Sequence, residues 1–204
     1  TVIASNVFQG CTALKDITFG SEFAVIGDYV FADCTALTEV DMTNITKSCI
    51  DDIDYYLSDP YFGSFVFNNC TSLKTVYMPM VQIEYIKDGL FVGCTALEYV
   101  EFGAKVGYVD KDAKPFEGLT SKTTIYFAGY KGSTIPYANP NSGLGYYFNN
   151  VTYESSSNNL NWLWTTEAII KGNDNNIAKV VPEYTREDGV KFRNLIMIFD
   201  AEGN

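Results

Sequence analysis

The sequence has no histidine among its 204 residues. Ser–His and Cys–His nucleophile pairs are therefore excluded, and the most common general base of enzymes is absent. The sequence also lacks a P-loop, a GxGxxG motif after a predicted strand, an HExxH motif and an EF-hand loop. Two carboxylates could in principle hydrolyse a glycoside, but the acidic residues are dispersed along the chain. These absences predict that the protein is not an enzyme, has no catalytic residues and needs no cofactor.

Basic residues are scarce, because 14 Lys and Arg stand against 25 Asp and Glu and the net formal charge is −11. Nucleic acids and anionic membranes are bound through clustered Lys and Arg, so neither is predicted as a partner. Long apolar runs are absent too, since none approaches the roughly 20 residues that span a bilayer. The sequence predicts no membrane insertion of this segment. It favours basic partners, whose association salt would weaken.

What the sequence does have is a repeat. A phrase of the form FxxCTxL begins at Phe8, Phe31, Phe67 and Phe91. A unit of about 23 residues is too short to bury its own apolar face, so consecutive units must stack as the coils of a solenoid. A Leu-x-x-Ile/Val-x-Phe/Met stretch continues from each phrase, and it alternates like a short strand. Stacked coils would join these strands into a parallel sheet.

Cysteine recurs at one position of the repeat, as Cys11, Cys34, Cys70 and Cys94, while Cys49 stands apart. Translated copies of one position point the same way, so we expect a reduced, buried, inward ladder rather than disulfides. Metal binding needs converging ligands, usually in CxxC or His-containing sets, and the sequence has neither. No metal site is predicted from the cysteines.

An insertion interrupts the second unit between residues 43 and 60. The stretch from Met42 to Phe62 is thirteen residues longer than the equivalent stretch from Phe19 to Ile26. Apolar residues recur in it at helical spacing and Pro60 follows, which predicts a short amphipathic helix; they are Ile45, Cys49, Ile53 and Leu57. The helix either covers exposed core or forms a specificity element beside a binding face. Its acidic residues could hold Ca²⁺, although they lack a recognisable loop spacing; they are Asp51, Asp52, Asp54 and Asp59.

The segments IGDYVFADCTALTEV and IKDGLFVGCTALEYV resemble the BspA-like, Treponema-type leucine-rich repeat. The resemblance covers Val2 to about Phe127 and implies a mainly β solenoid, a leucine-rich repeat array of short parallel strands. We therefore predict repeats over residues 1–127, a C-terminal cap of the array over 128–154, and a strand-rich tail or partial further β-domain over 155–204. The resemblance also implies a secreted or cell-surface bacterial protein of the kind associated with adhesion.

The outward positions of the strands form two predicted columns across the array, which together make a concave face. The first column is Asp16, Glu39, Thr75, Tyr99 and Thr124, and the second is Thr18, Asp41, Tyr77, Glu101 and Tyr126. Repeat proteins usually bind partners on such a concavity, and aromatic residues are favoured at interfaces. Equally, Thr and Tyr suit an exposed strand by propensity alone. These ten residues are the candidate partner-binding site.

Taken together, these features predict a non-catalytic cell-surface or secreted protein that binds a protein partner, possibly a basic one, on its concave face. One alternative is a carbohydrate-binding module, in which Trp162 and Trp164 or the tyrosine pair Tyr146 and Tyr147 stack on a sugar ring. Ordinary packing also explains these aromatic residues. A second alternative is a structural spacer within a larger surface protein.

Overall fold

The computed structural model describes residues 2–23, 25–45, 47–48, 62–79, 81, 83–103, 106–109, 113–128, 134–135, 146–147, 166–172, 177–185, 189 and 191–199. Within these ranges the chain forms strands and turns and no helix. The strands are β1 Val2–Ile3, β2 Glu22–Phe23, β3 Val25–Ile26, β4 Glu39–Asp41, β5 Lys47–Ser48, β6 Thr75–Met78, β7 Ile83–Ile86, β8 Tyr99–Phe102, β9 Val106–Val109, β10 Thr124–Phe127, β11 Thr134–Ile135, β12 Tyr146–Tyr147, β13 Ile169–Gly172, β14 Ile177–Thr185 and β15 Lys191–Phe199.

A seven-stranded sheet in the order β15-β14-β13-β10-β8-β6-β4 organises the molecule. From β4 to β13 neighbouring strands run parallel, each contributed by a different turn of the chain. One inward residue of each strand lies in register with the next and is at most 1% exposed. These residues are Val40, Val76, Val100, Ile125 and Ile170. Period-2 alternation thus places one side chain per coil in a continuous core, and the predicted mainly β solenoid is confirmed.

A stack of phenylalanine rings fills the opposite side of each coil. The first phenylalanine of each FxxC phrase, and Phe116 in the last unit, lies against its counterpart on the next coil. Ring centroids along the stack Phe8, Phe31, Phe67, Phe91 and Phe116 are 5.5 to 6.1 Å apart. Aromatic residues bury large apolar areas, so this stack and the sheet together hold neighbouring coils in one register.

Shorter parallel pairs lie outside the main sheet. They are β1 with β3, β2 with β5 and β7 with β9, whereas β11 and β12 pair antiparallel. An isolated parallel bridge joins Ile26 to Phe62. That bridge sets Phe62 beside Ile26 on the neighbouring coil, and the insertion over residues 43–60 stays a prediction.

The insertion begins differently from the prediction. Ile45 is buried in the core, and β5, which follows it, pairs with β2 of the preceding coil. The prediction of a helix is therefore wrong for Lys47–Ser48, because pairing with a strand already in place satisfies this backbone better than a helical turn would. Residues 49–61, with Cys49, Ile53, Leu57 and the four aspartates, lie outside the described residues.

The last strands join the sheet of the repeats. β13 runs parallel to β10 in unbroken register, and β14 and β15 continue antiparallel. Ala168 and Ile170 belong to the same buried cluster as the repeat core. The division of the chain at residues 128 and 155 stays a prediction, since most of the segment between β10 and β13 lies outside the described residues.

Candidate binding face

The outward residues of the parallel strands lie in two columns across the sheet, here called the outward face. Register pairs Glu39, Thr75, Tyr99 and Thr124 in one column. It pairs Asp41, Tyr77, Glu101 and Tyr126 in the other. A parallel bridge sets Thr18 beside Asp41, and the same register places Asp16 beside Glu39. The structure therefore brings the eight candidate residues of β4, β6, β8 and β10 onto one face of one sheet, and Thr18 and Asp16 extend the two columns past β4.

Two further residues continue the columns and were missed from the sequence. Ile169 pairs with Thr124, and Lys171 pairs with Tyr126. The segment around them carries no FxxC phrase, so the repeat gave no signal for it. Its only sequence signal is the alternation of outward Ile169 and Lys171 with buried Ile170.

The carboxylates give the outward face an uncompensated negative charge. The columns contain four carboxylates, and none of them makes an ion pair within the described part of the chain. They are Asp16, Glu39, Asp41 and Glu101. The columns carry one cation, Lys171, at the far end from Asp16. The ion pair between Lys114 and Glu117 lies outside the columns. The negative charge is therefore concentrated toward β4.

Hydrogen bonds hold two of the carboxylates near β4. The Thr75 hydroxyl donates to Glu39 Oε2 at 3.0 Å. The backbone N–H of Thr43 donates to Asp41 Oδ1 at 2.8 Å. Hydrogen bonds from the hydroxyl and then the backbone N–H of Thr43 lower the pKa of Asp41, because they favour its charged form. Asp41 consequently stays ionised and points its charge at a fixed place on the face.

Tyrosines occupy the middle of the outward face. The rings of Tyr77 and Tyr99 lie 5.8 Å apart and are tilted by 46°. The Tyr99 hydroxyl donates to Glu101 Oε2 at 3.4 Å. Burial, and next the charge of Glu101, raise the pKa of Tyr99 to about 12. Tyr99 is therefore neutral at physiological pH, half-buried, and oriented by a carboxylate.

The thiols of Cys34, Cys70 and Cys94, here called the inner thiols, lie in the core. Each inner thiol donates to the carbonyl of the previous coil's phenylalanine: Cys34 to Phe8 at 3.1 Å, Cys70 to Phe31 at 3.1 Å and Cys94 to Phe67 at 3.0 Å. Burial raises the pKa of all three. The described cysteines are free thiols, as expected. Among the described residues, no three His, Cys, Asp or Glu side chains converge as metal ligands.

One cysteine differs from the predicted ladder. Cys11 is exposed, whereas Cys34, Cys70 and Cys94 are buried. The inner cysteines each have a carbonyl of the preceding coil against them. Within the described residues no coil stacks on that side of Cys11, so the expectation that it is buried was wrong.

An open apolar cleft lies over the first coil, lined by residues such as Val2, Val7, Phe8 and Phe19. Val7 is 52% exposed, but its counterparts in the next two coils, Val30 and Val66, are fully buried. Val7 therefore occupies a core position on whose outer side, within the described residues, no further coil packs. The residues that line the cleft do not indicate any particular ligand. The outward face therefore remains the candidate site.

The aromatic residues considered for sugar stacking do not bear on this site. Trp162 and Trp164 lie outside the described residues. Tyr146–Tyr147 forms β12, which pairs with β11 in a separate two-stranded sheet. In the part of the chain that the structure describes, no helix is long and apolar enough to cross a bilayer.

Comparison with known protein families gives one match. Residues 1–129 match the family described as BspA type Leucine rich repeat region, in six copies. Proteins of this family are repeat proteins, often surface-associated and involved in protein interactions, and they are generally non-catalytic. Neither the curated proteins nor the solved structures contain a match to this chain. The predicted resemblance is confirmed over the same stretch of residues.

Proposed function

We propose that this chain, which belongs to the BspA-type leucine-rich repeat family, is a non-catalytic binding protein that acts at the cell surface or outside the cell. Its partner is a protein, and the binding site is the outward face of the sheet. The observation that carries the proposal is the composition of that face. Carboxylates without cationic partners and a packed pair of tyrosines lie in register on neighbouring strands.

Strand propensity alone does not account for this face. Thr and Tyr suit exposed strands, but Asp does not, and like charges opposite each other destabilise a sheet. The register nevertheless sets Asp16 beside Glu39 and places Asp41 two residues along the same strand from Glu39. A basic partner would relieve this repulsion. The arrangement is therefore better explained by binding than by the stability of the sheet.

Selection from a displayed library of random linear peptides tests this proposal. Peptides that bind the wild-type chain are measured against the triple variant Tyr77→Ser, Tyr99→Ser, Tyr126→Ser. We expect at least about a tenfold loss of affinity, because buried aromatic anchors commonly contribute more than about 1 kcal/mol to an interface. Circular dichroism melting shows whether the variant stays folded.

Tyr29→Ser is the matched control. Tyr29 is 37% exposed and stacks on Phe65 away from the main sheet, so we expect unchanged affinity. Selected peptides that bind the folded triple variant as tightly as the wild type would contradict the proposal. They would leave the role of a structural spacer as the better account of the chain.

A further inference from the structure

We propose that the outward face recognises an arginine side chain within a basic peptide segment of the partner, with the guanidinium lying over Tyr77 between Asp41 and Glu101. This inference rests on the proposed function and names the chemistry of the group that the face binds. It is carried by the order of side chains in one column and by the absence of a cation in that part of it.

The column places an aromatic ring between two carboxylates. Asp41, Tyr77 and Glu101 occupy paired positions on β4, β6 and β8. Neighbouring strands lie about 4.8 Å apart, so a cation over the ring of Tyr77 lies about one strand spacing from each flanking residue. A cation within about 6 Å of a ring centroid is attracted by the ring's negative face. Ring and carboxylates therefore favour a positive group at the same place.

Tyr99 provides a second wall and fixes Glu101. Its ring lies 5.8 Å from that of Tyr77 and is tilted by 46° to it. Its hydroxyl donates to Glu101 Oε2 two residues further along β8, which restricts the motion of that carboxylate. The backbone N–H of Thr43 restricts Asp41 by a bond of the same local kind. The groups that would surround a guanidinium are thus held before it arrives, which reduces the entropy lost on binding.

The geometry favours arginine over other cations. Ca²⁺ takes six to eight oxygen ligands, and among the described residues no three His, Cys, Asp or Glu side chains converge as metal ligands, so Asp41 and Glu101 do not form a metal site. A guanidinium is planar, stacks on aromatic rings and presents donors in several directions, whereas an ammonium is a compact, strongly hydrated charge. Arginine can therefore contact Tyr77 and a carboxylate at once.

Charge around the column also gives the bound segment a direction. Asp16 and Glu39 extend the negative field beyond Asp41, while Lys171 stands at the opposite end of the columns. Additional positive residues of the partner are accordingly stabilised toward β4 and opposed toward β13. The segment that fits is basic at the end that lies over β4.

A labelled peptide of alternating arginine and threonine is the probe, with two matched peptides that carry citrulline or lysine in place of arginine. Affinity is measured by fluorescence anisotropy at low and at physiological salt. We expect binding that weakens with salt, a loss of about tenfold or more with citrulline, which is neutral but of the same shape, and a smaller loss with lysine.

Single substitutions locate the arginine. Tyr77→Leu and Glu101→Gln should each weaken the arginine peptide severalfold, and Tyr77→Leu should abolish its preference over the lysine peptide. Glu117→Gln removes the same charge from a carboxylate outside the columns, which pairs with Lys114, and should leave the affinity unchanged. Equal effects of Glu101→Gln and Glu117→Gln would mean that only the net charge of the chain matters, and would overturn the proposal.

The outcomes separate this inference from the function on which it rests. If peptides from the random library lose affinity on the triple tyrosine variant but keep it when their arginines are replaced by citrulline, the face binds partners and the arginine site is wrong. If arginine and lysine peptides bind equally, stacking on Tyr77 is wrong. If no selected peptide depends on the tyrosines, both proposals fail.

Discussion

The thiols of Cys34, Cys70 and Cys94 act as hydrogen-bond donors in the core. Each thiol donates to the carbonyl of the phenylalanine that begins the preceding repeat phrase, and each of these carbonyls also accepts the backbone N–H of the cysteine three residues further along its own coil. The thiol therefore occupies the second acceptor position of a carbonyl that is already hydrogen-bonded, and its own weak donor is satisfied inside the core. Cysteine therefore recurs in the repeat because it packs like a small hydrophobe and also donates.

The inner thiols should resist alkylation in the folded protein. Burial raises the pKa of Cys94 to about 12, so its reactive thiolate is only about one part in ten thousand near pH 8. We expect iodoacetamide to modify exposed Cys11 at least about a hundredfold faster than the three inner cysteines, which react only through local opening. Mass spectrometry of peptides after timed labelling measures these rates.

A Cys49→Ser background removes the fifth cysteine from this measurement, and labelling in denaturant provides the control in which all remaining thiols react. If Cys70 or Cys94 reacted as fast as Cys11 in the folded protein, the inner ladder would not exist. The recurrence of cysteine at one position of the repeat was enough to predict that these residues point inward. It did not predict the exposure of Cys11, because burial requires a second coil and is not a property of one repeat.

Each of the first four coils turns through two backbone positions of positive φ, two residues before and two after the stacked phenylalanine. Before it they are Asn6, Tyr29, Phe65 and Gly89, with φ between 56° and 65°. At Gly89 the reason for glycine goes beyond φ, because an added Cβ would meet the ring of Phe65 on the preceding coil. The turn and the stacking of coils therefore constrain the same residue.

Gly89→Ala should destabilise the array more than Gly118→Ala does. Gly118 has a similar φ of +79°, with nothing within 4 Å of an added Cβ, so it loses only the about 1–2 kcal/mol of left-handed backbone strain. Gly89→Ala adds overpacking against Phe65, a further cost of about 1–3 kcal/mol. Urea unfolding of the two variants measures the difference in the free energy of unfolding. Equal losses would show that the Phe65 ring yields freely.

The elements show where sequence reasoning succeeds and where it stops. The strands β4, β6, β8 and β10 and their register were predicted, since each repeat carries its own alternation and the repeats align by the FxxC phrase. The pairing of Lys47–Ser48 with β2 was not predicted. The helical spacing of apolar residues in the insertion predicted a helix there instead. A two-residue strand leaves no periodic pattern in the sequence, and it forms only because it pairs with the neighbouring coil.

At the scale of the molecule, one sheet connects the family repeats to the strands that follow them. The family match ends at residue 129, yet β13 continues the parallel register of β10. The Glu167 N–H donates a hydrogen bond to the Leu119 carbonyl at 2.9 Å, which also joins these strands to the last repeat. The sequence could not predict this junction, because residues 169–172 carry no repeat phrase and a four-residue segment with two isoleucines fits many neighbours equally well.

A pair of adjacent isoleucines tests whether these strands share the core of the repeats. Ile170 is 1% exposed and belongs to the repeat core cluster, so Ile170→Ala should lower the free energy of unfolding by about 2–5 kcal/mol. Ile169 is half-exposed on the outward face, and Ile169→Ala should cost less than about 1 kcal/mol.

Because β10 pairs with β13 and packs on Ile170, faster hydrogen exchange in Ile170→Ala should reach the amides of β10 as well as those of β13. The contrary result would be that the amides of β13 lose their protection from exchange while those of β10 keep the wild-type level. In that case β13 to β15 unfold as a separate unit, and the core of the array ends at β10.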